Sequence, residues 1–446
     1  MKKLGIGIAI LVVIIASVIY YLNDVEEKQI ETLNALQEKV TIQLTQMQKN
    51  GFNITDRAME KEKEHFFITI VEPNKASTYL TQKGLRVTPE EAEELKDLKL
   101  SVELLYLSDI FSLDIYPVAL PPYIKSTITK EDDTKILAQL EEMLKRKVFF
   151  MHVDIDHAGT TFKGHMKDID ETLQGEKEVK MILEGLQFSG SIQEEKIAAF
   201  KQTLATVSLY MSDETDISIS DLESSYLHVG PTTYDYTSEY SIGKIESSQA
   251  PDGTLIANNL SFFSTSTVTN GLATEKLKAK AENMDAVYGK EKIGMNTLDL
   301  DMNISNLDVE ALEKLQNIDP NKEKEVHALI ETLVSKNIHL DIANFSADKV
   351  ILRGKEMGGF SLQANLDIDK SLDIYRLNIH PKHVLNKMFG TIDISLSKEL
   401  LNLMKEDPKA MMIYMMYRPK RNLGQRLYHI KIGKGEVKIN GKAVDF

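Results

Sequence analysis

At residues 149–160 the chain reads FFMHVDIDHAGT. His152, Asp154 and Asp156 recur at every second residue, and His157 follows at once. Neutral imidazole and carboxylate are good ligands for zinc or manganese, and strand spacing would set the first three on one face. Such a site would activate water in a metal-dependent hydrolase. The same spacing has a structural reading, in which Met151, Val153 and Ile155 are core and their neighbours are the solvated side of a strand. A second segment decides between the two. LEEMLKRK (140–147) followed by HVDID (152–156) is echoed by LIETLVSK (329–336) followed by HLDIA (339–343). His339 and Asp341 persist in the echo, but Ala343 and Asn344 stand in the places of Asp156 and His157. A pattern that keeps its alternation and loses half its ligands is a strand pattern. No residue is therefore assigned to a metal, a cofactor or catalysis.

Other segments imitate chemistry and fail on one residue each. Asp299, Asp301, Asn303 and Glu310 have calcium-loop spacing, but Ile304 stands where the sharp turn requires glycine. GEVKINGK (435–442) resembles a phosphate loop, yet Gly435 and Gly441 are one residue too far apart and Ala443 replaces the magnesium-binding hydroxyl. There is no G-x-S-x-G, H-E-x-x-H or dinucleotide-binding glycine fingerprint. Met404, Met411, Met412, Met415 and Met416 could be soft copper(I) ligands. With Ile413, Tyr414 and Tyr417 among them they read instead as an apolar helix, chiefly packed in the core and otherwise in contact with a lipid or a partner.

The elements around these segments begin with LGIGIAILVVIIASVIYYL, Leu4 to Leu22, 19 residues without a charge. That length crosses roughly 30 Å of hydrocarbon as a helix, and it lacks the small-x-small cleavage signature of a signal peptide. Lys2 and Lys3 precede it, while Asp24, Glu26 and Glu27 follow. The positive-inside rule places the N-terminus in the cytoplasm and the bulk of the chain outside, as a single-pass signal anchor. Cysteine is absent, which removes disulfides, a lipoprotein anchor and thiol catalysis, and points to a bacterial periplasm. The net charge of −14 disfavours nucleic acid. From Arg418 to Phe446, however, eight Lys/Arg face only Glu436 and Asp445. A solvated strand face accounts for them, and a patch for phospholipid headgroups or another anionic envelope polymer is the alternative.

Along the chain the pattern predicts residues 1–23 as cytoplasmic tip and anchor, 24–51 as a membrane-proximal helix ending at Gly51, 52–214 as a first α+β half and 215–446 as a second, β-rich half. HFFITIV (65–71), VELLYL and FSLDIYPV read as strands. Between Asp216 and Ile304 long strands follow one another, punctuated by Gly230-Pro231, Asp252-Gly253, Asn270-Gly271 and Gly289, as in an antiparallel meander. In LDLDMNI, Leu298, Leu300, Met302 and Ile304 point one way and Asp299, Asp301 and Asn303 the other. Helices are expected at 89–98, Asp132–Arg146, Glu194–Leu204, Val309–Gln316, Lys322–Ser335 and Lys398–Tyr417. The fold class is α+β: a transmembrane helix, then a long, curved, mostly antiparallel sheet with interspersed helices, built on a helix-plus-strands unit used twice.

The N-terminal anchor with HFFITI behind it, the serine- and asparagine-rich strands from Thr254 to Met284, LDLDMNISNLDVEAL (298–312) and GEVKINGKAV (435–444) together resemble the YdgA/YihF family of bacterial envelope proteins, a domain-of-unknown-function family. The stretch 85–150 departs from that pattern. The resemblance implies an inner-membrane-anchored periplasmic protein with repetitive β architecture, and it supplies no catalytic residues. AsmA-type envelope proteins share the architecture by analogy.

The expectation is a non-enzymatic envelope protein that binds or guides a lipid or other amphipathic ligand along its sheet. An antiparallel sheet with one apolar face must cover that face with helices or ligand. The competing expectation is a periplasmic scaffold that binds an envelope protein partner through sheet edges. A metal-dependent enzyme using His152 stands third.

Overall fold

The computed structural model describes residues 33–82, 87–130, 134–175, 177–193, 196–212, 215–232, 234–249, 253–318, 322–372, 384–404, 408–422 and 424–444. The Leu4–Leu22 span and residues 24–32 of the membrane-proximal helix lie outside them. Among the described residues, no helix is long and apolar enough to cross a membrane. Among the described residues the fold is mostly an antiparallel open sheet with some helices, 58% strand and 22% helix. It divides into two compact units, up to Tyr226 and from Leu227 onward.

The first unit opens with α1 (Leu33–Lys49), whose Leu36, Val40, Leu44 and Met47 are buried at helical spacing. Gly51 ends it at φ +93°, where a β-carbon would stand 2.5 Å from the Glu72 carbonyl oxygen. Strands β1 (Phe52–Met59) and β2 (Lys63–Ile70) form a hairpin. Helices α2 (Pro73–Gln82) and α3 (Pro89–Glu94) then lead to β3 (Lys99–Tyr106), antiparallel to β2. Thr88 and Glu91 close a capping box at the start of α3, with Pro89 in the first turn where its missing N–H costs nothing. The same connection follows β4 (Ile110–Ala119): helices α4 (Pro122–Lys130) and α5 (Thr134–Lys145) return the chain to β5 (Met151–Asp156), antiparallel to β4. One face of these strands is sealed, for Phe66, Ile68, Leu100, Val102, Phe111 and Leu113 form one core with the apolar side of α1 and with Tyr79 and Leu80 of α2.

Strands β6 (Thr161–Met166), β7 (Ile169–Gln174), β8 (Glu178–Glu184), β9 (Gln187–Gln193) and β10 (Lys196–Met211) complete this unit, and the chain passes on through β11 (Thr215–His228). β10 corrects the helix expected over Glu194–Leu204. Ile197, Phe200 and Leu204 have helical spacing, but residues 196–203 pair with β9 and 206–211 with β8. Ladder pairing along most of the segment gives its backbone partners, and that outweighs a local period.

The second unit is a meander of long strands: β12 (Tyr236–Gln249), β13 (Gly253–Thr269), β14 (Leu272–Tyr288) and β15 (Glu291–Asp308), each antiparallel to the next. Asn270 and Gly271 both take positive φ, the type I′ geometry whose twist matches a hairpin. After β15, α6 (Val309–Asn317) and α7 (Glu323–Val334) lead to β16 (His339–Leu352), antiparallel to β15. Asp308 caps α6 by accepting from the Ala311 amide at 2.9 Å. Next come β17 (Lys355–Glu356), β18 (Phe360–Ile368) and β19 (Met388–Leu396). Within the helix expected over Lys398–Tyr417 the described residues form α8 (Lys398–Met404) and α9 (Pro408–Met416), the second with a proline at its first position. Strands β20 (Lys420–Asn422), β21 (Gln425–Gly433), β22 (Glu436–Ile439) and β23 (Lys442–Ala443) end the unit, with β21 antiparallel to β19.

Candidate functional site

The HVDIDH segment is β5 and its turn. Met151, Val153 and Ile155 are 0% exposed, while His152, Asp154 and Asp156 are only partly buried, so the alternation is that of a half-buried strand. The polar side chains then separate. His152 Nδ1 lies 2.7 Å from Asp114 Oδ1, and its Nε2 lies 3.2 Å from Asp154 Oδ1. Asp154 also accepts from Ser112 Oγ at 2.5 Å. Asp156 turns away into the β5–β6 hairpin, where it accepts from the backbone and side chains of Thr160 and Thr161 at 2.6–3.0 Å. Burial pushes the Asp156 carboxyl up, and those four donors outweigh it and hold it below the usual carboxylate range. His157 Nε2 points to the Leu107 carbonyl oxygen at 2.9 Å. Among the described residues, no three His, Asp or Glu side chains are grouped to hold a metal ion.

His152 has counterparts. Asp114 and His152 are direct cross-strand partners, and so are His339 with Asp367 and His429 with Asp393. The latter two pairs close at 2.8 and 2.7 Å. Opposite-charge or hydrogen-bonded pairs at facing positions stabilise a sheet locally. Asp299 and Asp301 of the calcium-like segment serve the same purpose, facing Lys280 at 3.5 Å and Lys278 at 3.1 Å.

The other face of that segment is where the second unit differs from the first. Leu300 of β15 stands opposite Ala279 of β14 and Phe345 of β16; Phe345 faces Leu362, Leu362 faces Ile394, and Ile394 faces Tyr428. This is an unbroken apolar row across six strands. A second row runs beside it through Leu277, Met302, Ile342, Ala364, Ile392 and Ile430 to Ile439. A bulge, with Ala343 unpaired against β15 and Ala343 and Asn344 unpaired against β18, keeps Phe345 and Ile342 on the same face although they are three residues apart. Helices α6 and α7 cover one end of this face, where Leu312, Leu333 and Val334 meet Ile304 and Ile368. Away from that end Leu298, Leu300, Met302, Ile342, Phe345, Leu362, Ile392 and Ile394 all stay partly exposed, whereas the corresponding face of the first unit is sealed. At about 4.8 Å per strand, six strands make the row roughly 24 Å long.

Helix α9 corrects the core-packing reading of the methionines. Met411, Met412, Ile413, Met415 and Met416 are 45–65% exposed. Tyr417 alone is buried just beyond the helix, donating its hydroxyl to the Ala443 carbonyl at 3.2 Å. Tyr414 stands close to Tyr428, the last residue of the apolar row; burial first, and that phenol second, push the Tyr428 hydroxyl up.

Comparison with known proteins adds no relative: no family model, curated protein or solved structure matches the chain. Sequence reasoning found the alternation in LDLDMNI but not Phe345, Leu362 or Ile394 as partners on that face. FSLQANLDI and TIDISL carry the same alternation, so the signal for each strand was present. The register that aligns them was not.

Proposed function

We propose that this protein is a non-enzymatic bacterial envelope protein, anchored in the inner membrane by Leu4–Leu22 and facing the periplasm, which binds or guides a lipid or other amphipathic molecule along the apolar face of its second unit. The observation that carries this reading is the partly exposed row of Leu300, Phe345, Leu362 and Ile394, which ends at the buried Tyr428. Water against so continuous an apolar surface is unfavourable, and contiguous patches of this kind on soluble domains mark a binding surface. The row is longer than the hydrocarbon of one leaflet, about 15 Å, so it can seat an acyl chain along its length. The anchor and the flanking charges of Lys2, Lys3, Asp24, Glu26 and Glu27 support the membrane setting, as does the resemblance to envelope proteins. We read the recurring strand, helix pair and antiparallel strand, at α2–α3, α4–α5 and α6–α7, as the repeated unit of a curved sheet.

The test is lipid mass spectrometry on the full-length chain purified in mild detergent, alongside protein crosslinking in cells. Lipid retained at a fixed ratio, with no stable protein partner, supports the proposal. A crosslinked envelope protein partner without retained lipid replaces it with the scaffold reading.

A further inference from the structure

We propose that α9 and the basic strand after it form a docking element for a bilayer surface carrying anionic phospholipids. At 100° per residue, Met411, Met412, Met415 and Met416 occupy one side of the helix, with Ile413 extending the arc. Tyr414 and Tyr417 lie on the opposite side and are the better buried, so this largely apolar helix turns its methionine arc to solvent. The five side chains expose on the order of 500 Å², a size at which an apolar patch marks an interaction site. Nine residues rise about 13 Å, too short to span a bilayer but suited to lying within its interface.

Charge selects the occupant. Arg418, Lys420 and Arg421 follow the helix directly and are exposed, and among the described residues none of them forms an ion pair. Arg421 even stands opposite Arg426 across β20 and β21, a like-charge placement that costs stability and is relieved by a bound anion. The chain as a whole is at −14, so this is a local reversal of sign. Apolar side chains for the acyl boundary beside unpaired basic groups for headgroups match an anionic membrane surface. A protein partner of the same chemistry would need an acidic rim around an apolar groove. The membrane supplies both features without a specific partner. The element stands independently of the apolar row, although Tyr414 beside Tyr428 places it at the end of that row.

The chain has no cysteine, so Met412→Cys introduces a unique thiol for an environment-sensitive fluorophore, and Tyr288→Cys, at a position 71% exposed, provides the reference. The full-length labelled chain is reconstituted in vesicles of phosphatidylcholine alone or of equal parts phosphatidylcholine and phosphatidylglycerol, each carrying a lipid-borne quencher. The expected result is strong quenching at 412 and weak quenching at 288, in the anionic vesicles only. Adding Lys420→Glu and Arg421→Glu lowers the docked fraction at least tenfold, since each basic residue near an anionic surface contributes about fivefold. Both positions are exposed, so these variants keep the fold, which circular dichroism verifies. Quenching at 412 no stronger than at 288 overturns the proposal, as does equal quenching in neutral vesicles. Disulfide crosslinking between unlabelled Met412→Cys chains in detergent overturns it in favour of a second copy on the helix. Lipid retention by the Leu362→Asp variant reports on the apolar row separately, so failure of one reading leaves the other standing.

Discussion

Leu362→Asp places a carboxylate in the middle of the apolar row, between Phe345 and Ile394. An acyl chain lying along the row loses contact with about two methylenes there. At about 0.8 kcal/mol each this is roughly 1.6 kcal/mol, or about fifteenfold in affinity. The new carboxylate must also stay hydrated, which adds to the loss when ligand is seated. The fold itself tolerates the change, because Leu362 is partly exposed and water already reaches it. The same substitution at Leu113, 1% exposed in the sealed face of the first unit, buries an unpaired charge. It removes about 3 kcal/mol or more of stability. The assay is titration of the full-length protein with a fluorescent phospholipid, with thermal unfolding measured in parallel. Ser361→Asp, one residue away on the polar face, serves as the control and leaves binding unchanged. The reasoning is refuted if folded Leu362→Asp binds within about twofold of the parent, or if Ser361→Asp loses as much affinity.

Three further outcomes test the packing of the first unit. Gly190→Ala brings a β-carbon to 2.5 Å from both the Phe162 ring and the Ala199 carbonyl oxygen; backbone cannot step aside, so denaturant unfolding should show a loss of about 1–3 kcal/mol. Arg57→Ala strands Glu64, whose side chain is 0% exposed and is held by Arg57 Nε at 2.5 Å and Tyr106 Oη at 2.7 Å. Burial first, and then the bond to Glu64, drive the Tyr106 hydroxyl well above its ordinary value, so it remains a donor, and the expected cost sits near the lower end of the range for a broken buried pair, about 3 kcal/mol. The Asp156 carboxyl is held below its unfolded value, so its stabilising contribution is full above about pH 4 and disappears as pH falls through the lower folded value. Asp156→Asn should therefore lower the unfolding temperature at neutral pH and flatten its decline in acid; an unchanged acid slope counts against this role.

The strand alternation in HVDIDH and LDLDMNI, the Asn270-Gly271 turn and the helix end at Gly51 were legible in the chain because each rests on residues within a few positions of one another. Periods of 2 and 3.6 and a positive-φ glycine are local physics. What the sequence could not decide was everything that depends on which strand lies beside which. The helical period at Ile197, Phe200 and Leu204 lost to two neighbouring strands that satisfied the backbone of β10. The methionines of α9 read as core because an apolar composition usually is, and only packing decides which side of a helix meets the body. Leu300, Phe345, Leu362, Ile394 and Tyr428 are scattered over more than a hundred residues, and register alone brings them into one row. Met151 and Ile342 occupy similar alternating segments, yet helices seal the first and leave the second open to water. A strand determines which of its faces is apolar; its neighbours in space determine whether that face is a core or a surface for something else.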